Sequence, residues 1–234
     1  MTLSLELSWS QEVVRKFSRL AVCFGIIDNV KIGIENDESK TLKQIVYEEV
    51  RKKHNVENLK DNPVVRAYRD MYWRLGIDPT KTRPSGEALL RRVLNGNDLP
   101  NISTAVDAYN LASMKTLTPI SGFDLDRLTP PFQIRFAARD EIFVGLGLTK
   151  PLTLTPNTLV LADARQIVCI YPYRDADNTK ISVSSRNIMI VGYGAPETTL
   201  ASLREAVEMA LSFIKQASGG QIGQIDTFQT VPEA

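Results

Sequence analysis

Between Arg19 and Asp28 the chain reads RLAVCFGIID, an apolar run closed by a charge at each end. A run of this kind, with no polar alternation, suits a strand buried on both faces, so the sheet that holds it needs covering layers. The helical patterns elsewhere supply them. SKTLKQIVYEEVRKK sets Leu42, Ile45, Val46 and Val50 on one stripe. Asn62 followed by Pro63 is a strong helix opening, and Val64, Val65, Tyr68, Met71, Tyr72 and Leu75 keep the helical period as far as Gly76. Pro84 or Ser85 opens a further helix with Leu89, Leu90, Val93 and Leu94 inward. ISTAVDAYNLASM predicts another, with Ile102, Ala105, Val106 and Tyr109 inward. Near the start, Leu3, Leu5 and Leu7 alternate as a strand does, and Ser8 and Gln11 stand at capping-box spacing.

The second half changes character. FQIRFAARDEIFVGL, TLVLADARQIVCIYPY, KISVSS and RNIMIVGYG are β-rich, with turn residues between them. PETTLASLREAVEMALSFI then forms an amphipathic helix on Leu200, Leu203, Val207, Leu211 and Ile214, and the Gly/Gln-rich tail at 218–234 is expected to fray. Strands and helices mix without a βαβ repeat. The expectation is therefore a single α/β (α+β) domain over residues 1–234, a large mixed β-sheet flanked by helices.

Composition limits the partners. The formal net charge is +1, so a polyanion has to be held by a local patch rather than by the field of the whole molecule. No apolar run approaches twenty residues, which predicts no membrane span, and the N-terminus lacks the basic start and apolar core of a secretory signal; a cytoplasmic protein is expected. Cys23 and Cys169 both sit in apolar runs and read as buried thiols. The single histidine, His54, reads as a solvated last-turn residue favoured by the helix dipole. No metal or cofactor site is predicted.

Three groups of residues could carry chemistry. Lys81, Arg83, Arg91 and Arg92 concentrate positive charge at a helix start. They read either as a solvated face, with Arg91 paired to Glu87, or as phosphate-binding groups. Asp107 and Asn110 are poor residues for a helix interior and share a face, which reads as buried structural hydrogen bonding or as a pocket wall. Ser121 follows them, and Tyr173 and Asp175 lie on a loop between strands, a common location for binding residues. Asp124 and Asp126 read as turn caps rather than metal ligands.

Taken in order, RLGIDPTKTRPSGEALLRRVLNG, LPNISTAVDAYNLASM and GFDLDRL resemble the B3/B4 domain of the phenylalanyl-tRNA synthetase β subunit, over roughly residues 62–195. The likeness is closest to the stand-alone members of that family. The resemblance implies a mixed α/β fold and a pocket at the Val106–Asp107 pair and Asn110. In the synthetase this domain hydrolyses tyrosine wrongly attached to the tRNA for phenylalanine. Where bacterial synthetases often carry a threonine before the asparagine, this chain has Tyr109, and the histidine before the D-L-D segment falls near Ser121. The glutamate that follows a late strand in those enzymes has no clear match around IMIVGYG. The implied function is a free-standing aminoacyl-tRNA editing protein that hydrolyses the ester of a mischarged tRNA. Its partner would be tRNA, with no DNA and no membrane. The alternatives are a non-catalytic RNA or aminoacyl-ligand binding module, and a small-molecule enzyme on the same fold.

Overall fold

The run around Phe24 forms the strand expected of it, and every residue from Ala21 to Ile27 is buried. In the computed structural model, residues 5–231 are described. Along the chain they form β1 (Leu7–Trp9), α1 (Gln11–Lys16), β2 (Ala21–Asp28), α2 (Asp37–Lys53), α3 (Pro63–Arg74), α4 (Ser85–Leu94) and α5 (Thr104–Thr116). The β-rich half adds β3 (Ile120–Asp124), β4 (Phe132–Phe136), β5 (Ile142–Phe143), β6 (Leu152–Thr153), β7 (Leu159–Ala162), β8 (Ile167–Ile170), β9 (Arg174–Asp175) and β10 (Ile188–Gly194). Then come α6 (Leu200–Ser218) and β11 (Gln221–Gln229).

This is a mixed α/β fold with helices against its sheets. The strands are shared between a five-stranded sheet, β1-β4-β7-β8-β9, and a four-stranded antiparallel sheet, β11-β2-β10-β3; β5 and β6 pair separately. The β1–β4 pair is parallel and the others in its sheet are antiparallel. Alternation along β2 explains the layering. Val22, Phe24 and Ile26 enter a core that also takes Phe132, Ile134 and Leu161 from the five-stranded sheet, with Tyr68, Met71 and Tyr72 of α3. Ala21, Cys23 and Ile27 enter a second core under α5 and α6, with Ala108, Val207 and Leu211. The double cover is thus helices on one face and the second sheet with α3 on the other.

Several local expectations need correction. Residues 221–229, expected to fray, form β11 along β2, with Ile222 and Ile225 packed on one core and Phe228 on the other. Ser10, not Ser8, caps α1 by accepting from Val13 N–H, and Ser8 lies in β1. Leu3 lies outside the described residues. On α2 the buried stripe runs through Leu42, Val46, Tyr47 and Val50, and Ile45 is exposed. Ile102 is also exposed, because α5 begins after it with Ser103 as the cap. Leu200, at the first turn of α6, is exposed as well. His54 caps α2 through its N–H to Val50 O at 2.9 Å, but its Nε2 is buried without a hydrogen-bond partner. Burial, and then the neighbouring Lys53, lower the imidazole pKa, so the ring is less solvated than a last-turn residue was expected to be. Both cysteines are free and buried.

Candidate functional site

The start of α5 explains Asp107. Its Oδ1 accepts from the Ile102 N–H at 3.0 Å and its Oδ2 lies 4.0 Å from Lys43 Nζ, so the side chain pins the segment that enters the helix. Burial raises the carboxyl, against the Ile102 N–H and the Lys43 charge. One turn on, Asn110 is half-buried and its side chain makes no hydrogen bond among the described residues. Its amide is available to something else.

The two sheets bring two further candidates together. Ser121 on β3 donates its hydroxyl to Asp175 Oδ1 on β9 at 2.7 Å. Burial pushes the Asp175 carboxyl up to about 6, opposed by the Ser121 hydroxyl and by Arg174. Beside Ser121, Gly122 has no room for a side chain. A Cβ there would stand 2.8 Å from Tyr109 Cε1 and 2.7 Å from Ile181 Cδ1. One edge of the Tyr109 ring therefore packs directly on β3. Its phenol is raised by burial first, then by the negative charges of Asp175 and Asp107, which places it in the field of both carboxylates. Tyr173 is half-buried against the core, where burial raises its phenol, and it makes no side-chain hydrogen bond among the described residues.

Tyr109, Ser121 and Asp175 thus come together where α5, β3 and β9 meet, and Asn110 is the next residue along α5. Sequence reasoning missed Tyr109 as a wall because its helical period marked it only as core. Asp124 is a turn cap, as expected: its Oδ1 accepts from Asp126 N–H at 3.2 Å and its Oδ2 from Ser185 Oγ at 2.6 Å. Among the described residues no group of three or more His, Cys, Asp or Glu side chains could hold a metal, and no helix is long and apolar enough to cross a membrane.

The basic stretch converges on Glu87, which is 1% exposed. Arg69 donates Nε to Oε2 at 2.8 Å and Nη2 to Oε1 at 2.5 Å, and Arg91 donates Nε to Oε1 at 2.7 Å. Arg83 Nε stands 4.0 Å from the same oxygen. Gly86 packs under the backbone of Leu117, where a Cβ would come within 2.7 Å, so the start of α4 is covered by protein. Arg92 donates to Asp98 O at 2.7 Å and Lys81 lies 4.0 Å from Asp78; both side chains remain exposed, as does Arg83. Arg69 was not foreseen, since nothing in its local sequence couples it to Glu87.

Comparison with known proteins agrees with this architecture. The sequence pattern described as the B3/4 domain matches residues 67–216. Curated relatives include the phenylalanine–tRNA ligase beta subunit of Haemophilus ducreyi, 25% identical over 150 residues, covering 53% of this chain and 18% of that protein. The same subunit of Fusobacterium nucleatum is 30% identical over 131 residues, covering 55% and 16%. The chain therefore spans less than a quarter of these relatives. Among solved structures, an N-terminal fragment of the phenylalanyl-tRNA synthetase beta subunit from Pyrococcus horikoshii shares the fold, with a TM-score of 0.52 and 12% identity over 94% of this chain and 50% of that one. With the family pattern covering more than half of its length, the chain belongs to the B3/4 domain family.

Proposed function

We propose that these 234 residues act free of a synthetase core as an aminoacyl-tRNA editing protein, hydrolysing the ester between a wrong amino acid and the tRNA 3′ end. The observation that carries this reading is the Ser121–Asp175 hydrogen bond, formed between the two sheets inside the matched region. Water attacks the ester carbonyl. Asp175, ionised above about pH 6, takes the proton of that water, and Ser121 orients the carboxylate. The carbonyl–ribose bond then breaks, the ribose oxygen leaves with a proton, and the products are a free amino acid and tRNA. The Asn110 amide, lacking a partner among the described residues, supplies a donor for the developing oxyanion. Ester hydrolysis of this kind needs a held water and a stabilised oxyanion, so a distant His54 is no obstacle. Arg83 and Arg92, exposed beside α4, are the proposed contacts to tRNA phosphate, with Lys81 beside them.

The test is deacylation over a panel of charged tRNAs, with the parent, Ser121→Ala and Asp175→Asn. Asp175→Asn should lose at least about a hundredfold in rate, near 2.7 kcal/mol of barrier, and Ser121→Ala about tenfold. Unchanged turnover in a folded Asp175→Asn variant would reject the mechanism. One observation favours a second reading, a binding module without turnover. Tyr109 and Ile181 close tightly over Gly122, which limits the space for an acyl group. No hydrolysis of any charged tRNA, together with measurable tRNA binding, would select that reading.

A further inference from the structure

One concavity, lined by none of Tyr109, Ser121 and Asp175, lies where four helix ends meet. It holds about 550 Å³, within the usual range for a small-molecule site. The C-terminal ends of α2 and α5 bring Lys53 and Lys115, and the start of α6 brings Glu197 and Glu205. Val64, Ala67, Leu203 and Met209 form an apolar lining between them. Two of these four charges are already engaged, Lys115 with Glu49 at 2.5 Å and Glu197 with Arg74 at 3.8 Å. Lys53 and Glu205 have no ion-pair partner among the described residues. His54, whose Nε2 lacks a hydrogen bond, lines the same cleft. Its α2 wall lies outside the matched residues 67–216, so the cleft is not built from the family region alone.

A simple anion would meet Glu197 and Glu205 here, and a simple cation would meet Lys53 and Lys115. A molecule that carries both signs on an apolar body satisfies both walls and the lining. We propose that this cleft binds a free α-amino acid with an aliphatic side chain, its carboxylate toward Lys53 and its ammonium toward Glu205. Binding in this cleft does not depend on ester hydrolysis at Asp175, and either can fail alone.

The experiment is titration calorimetry on the full chain with L-leucine and with two analogues that each lack one charge, isopentylamine and 4-methylpentanoate. L-leucine should bind, and each analogue should bind at least about tenfold more weakly. Lys53→Met and Glu205→Gln should each weaken L-leucine by about tenfold as well, with the melting temperature held, since both side chains are exposed. Absence of binding by about 10 mM L-leucine would overturn the proposal, a range in which a two-point charge clamp still registers. So would analogues that bind as well as L-leucine, or two folded variants that bind it like the parent.

Discussion

Glu87→Gln isolates the buried ionic hub. The native carboxylate is 1% exposed and receives three hydrogen bonds from two guanidinium groups. Glutamine keeps the shape, removes the charge and turns one oxygen into an N–H2 group facing donors. Breaking a fully buried pair costs about 3–5 kcal/mol because the surviving charge is stranded. Arg69 and Arg91 keep 23% and 21% exposure and can turn to water, which sets the lower end. A loss of about 3 kcal/mol should appear as a melting temperature lower by about 6–12 °C. The pH dependence follows from the carboxyl. Burial is the largest single influence and raises it, but the hydrogen bonds from Arg69 and Arg91 together outweigh burial and hold it below the usual range. The folded state therefore favours the ionised form. Its contribution is complete above the ordinary carboxylate range and drains as pH falls through the folded-state value. Thermal and urea melts of parent and variant should differ fully at pH 7 and converge in acid. A difference under about 0.5 kcal/mol at pH 7 would refute the reasoning, since that is the scatter of an ordinary surface change. Replacing Arg69, Glu87 and Arg91 together by Leu should cost less than Glu87→Gln alone, because no charge is then left unmatched.

Asp175 has the opposite sign: its raised carboxyl favours the protonated folded state, a stabilisation complete below the ordinary carboxylate range and lost as pH rises through about 6. Asp175→Asn should accordingly gain about 2–3 kcal/mol over the parent at pH 8, measured by urea melts, while the parent's deacylation rate rises through about pH 6. Asn110→Ala should slow deacylation about tenfold at an unchanged melting temperature, because its side-chain amide makes no hydrogen bond among the described residues; an unaltered rate would remove it from the site. Arg92→Ala should weaken tRNA binding across sequences and lower the salt slope by about one, whereas Arg91→Ala, already committed to Glu87, should leave the slope unchanged. Native protein should resist thiol reagents, since burial pushes the Cys23 thiol up to about 11 and raises that of Cys169 further; rapid labelling without denaturant would contradict it.

Local signals carried much of the fold. The RLAVCFGIID run already demanded a strand covered on both faces, and Asn62 caps α3 through Val64 N–H at 2.9 Å as its side chain and Pro63 suggest. What stayed hidden depends on partners remote in sequence. QIGQIDTFQ looks like a polar tail until β2 is set beside it, and only then do Ile222, Ile225 and Phe228 have somewhere to go. The same holds for the site. Ser121 and Asp175 were each visible as polar residues near strands, but their hydrogen bond is a product of two sheets meeting. Glu87 with Arg91 was legible at four-residue spacing, while Arg69 joins them only through the packing of α3 against α4.

The pairing of β2 also bears on the order in which this protein can be made. Ala21 stands opposite Gly194 on one side and Gln229 on the other, and Leu20 N–H closes on Thr230 Oγ1 across 210 residues. A nascent chain leaving the ribosome thus carries the buried β2 without either neighbour until residues 29–187 have been synthesised. Such distant contacts close slowly, and an unpaired apolar strand is a template for the wrong chain. Loss of β11 would strip one flank from β2 even where the remaining strands still paired, so a stalled or clipped product should depend on chaperones far more than the intact protein does.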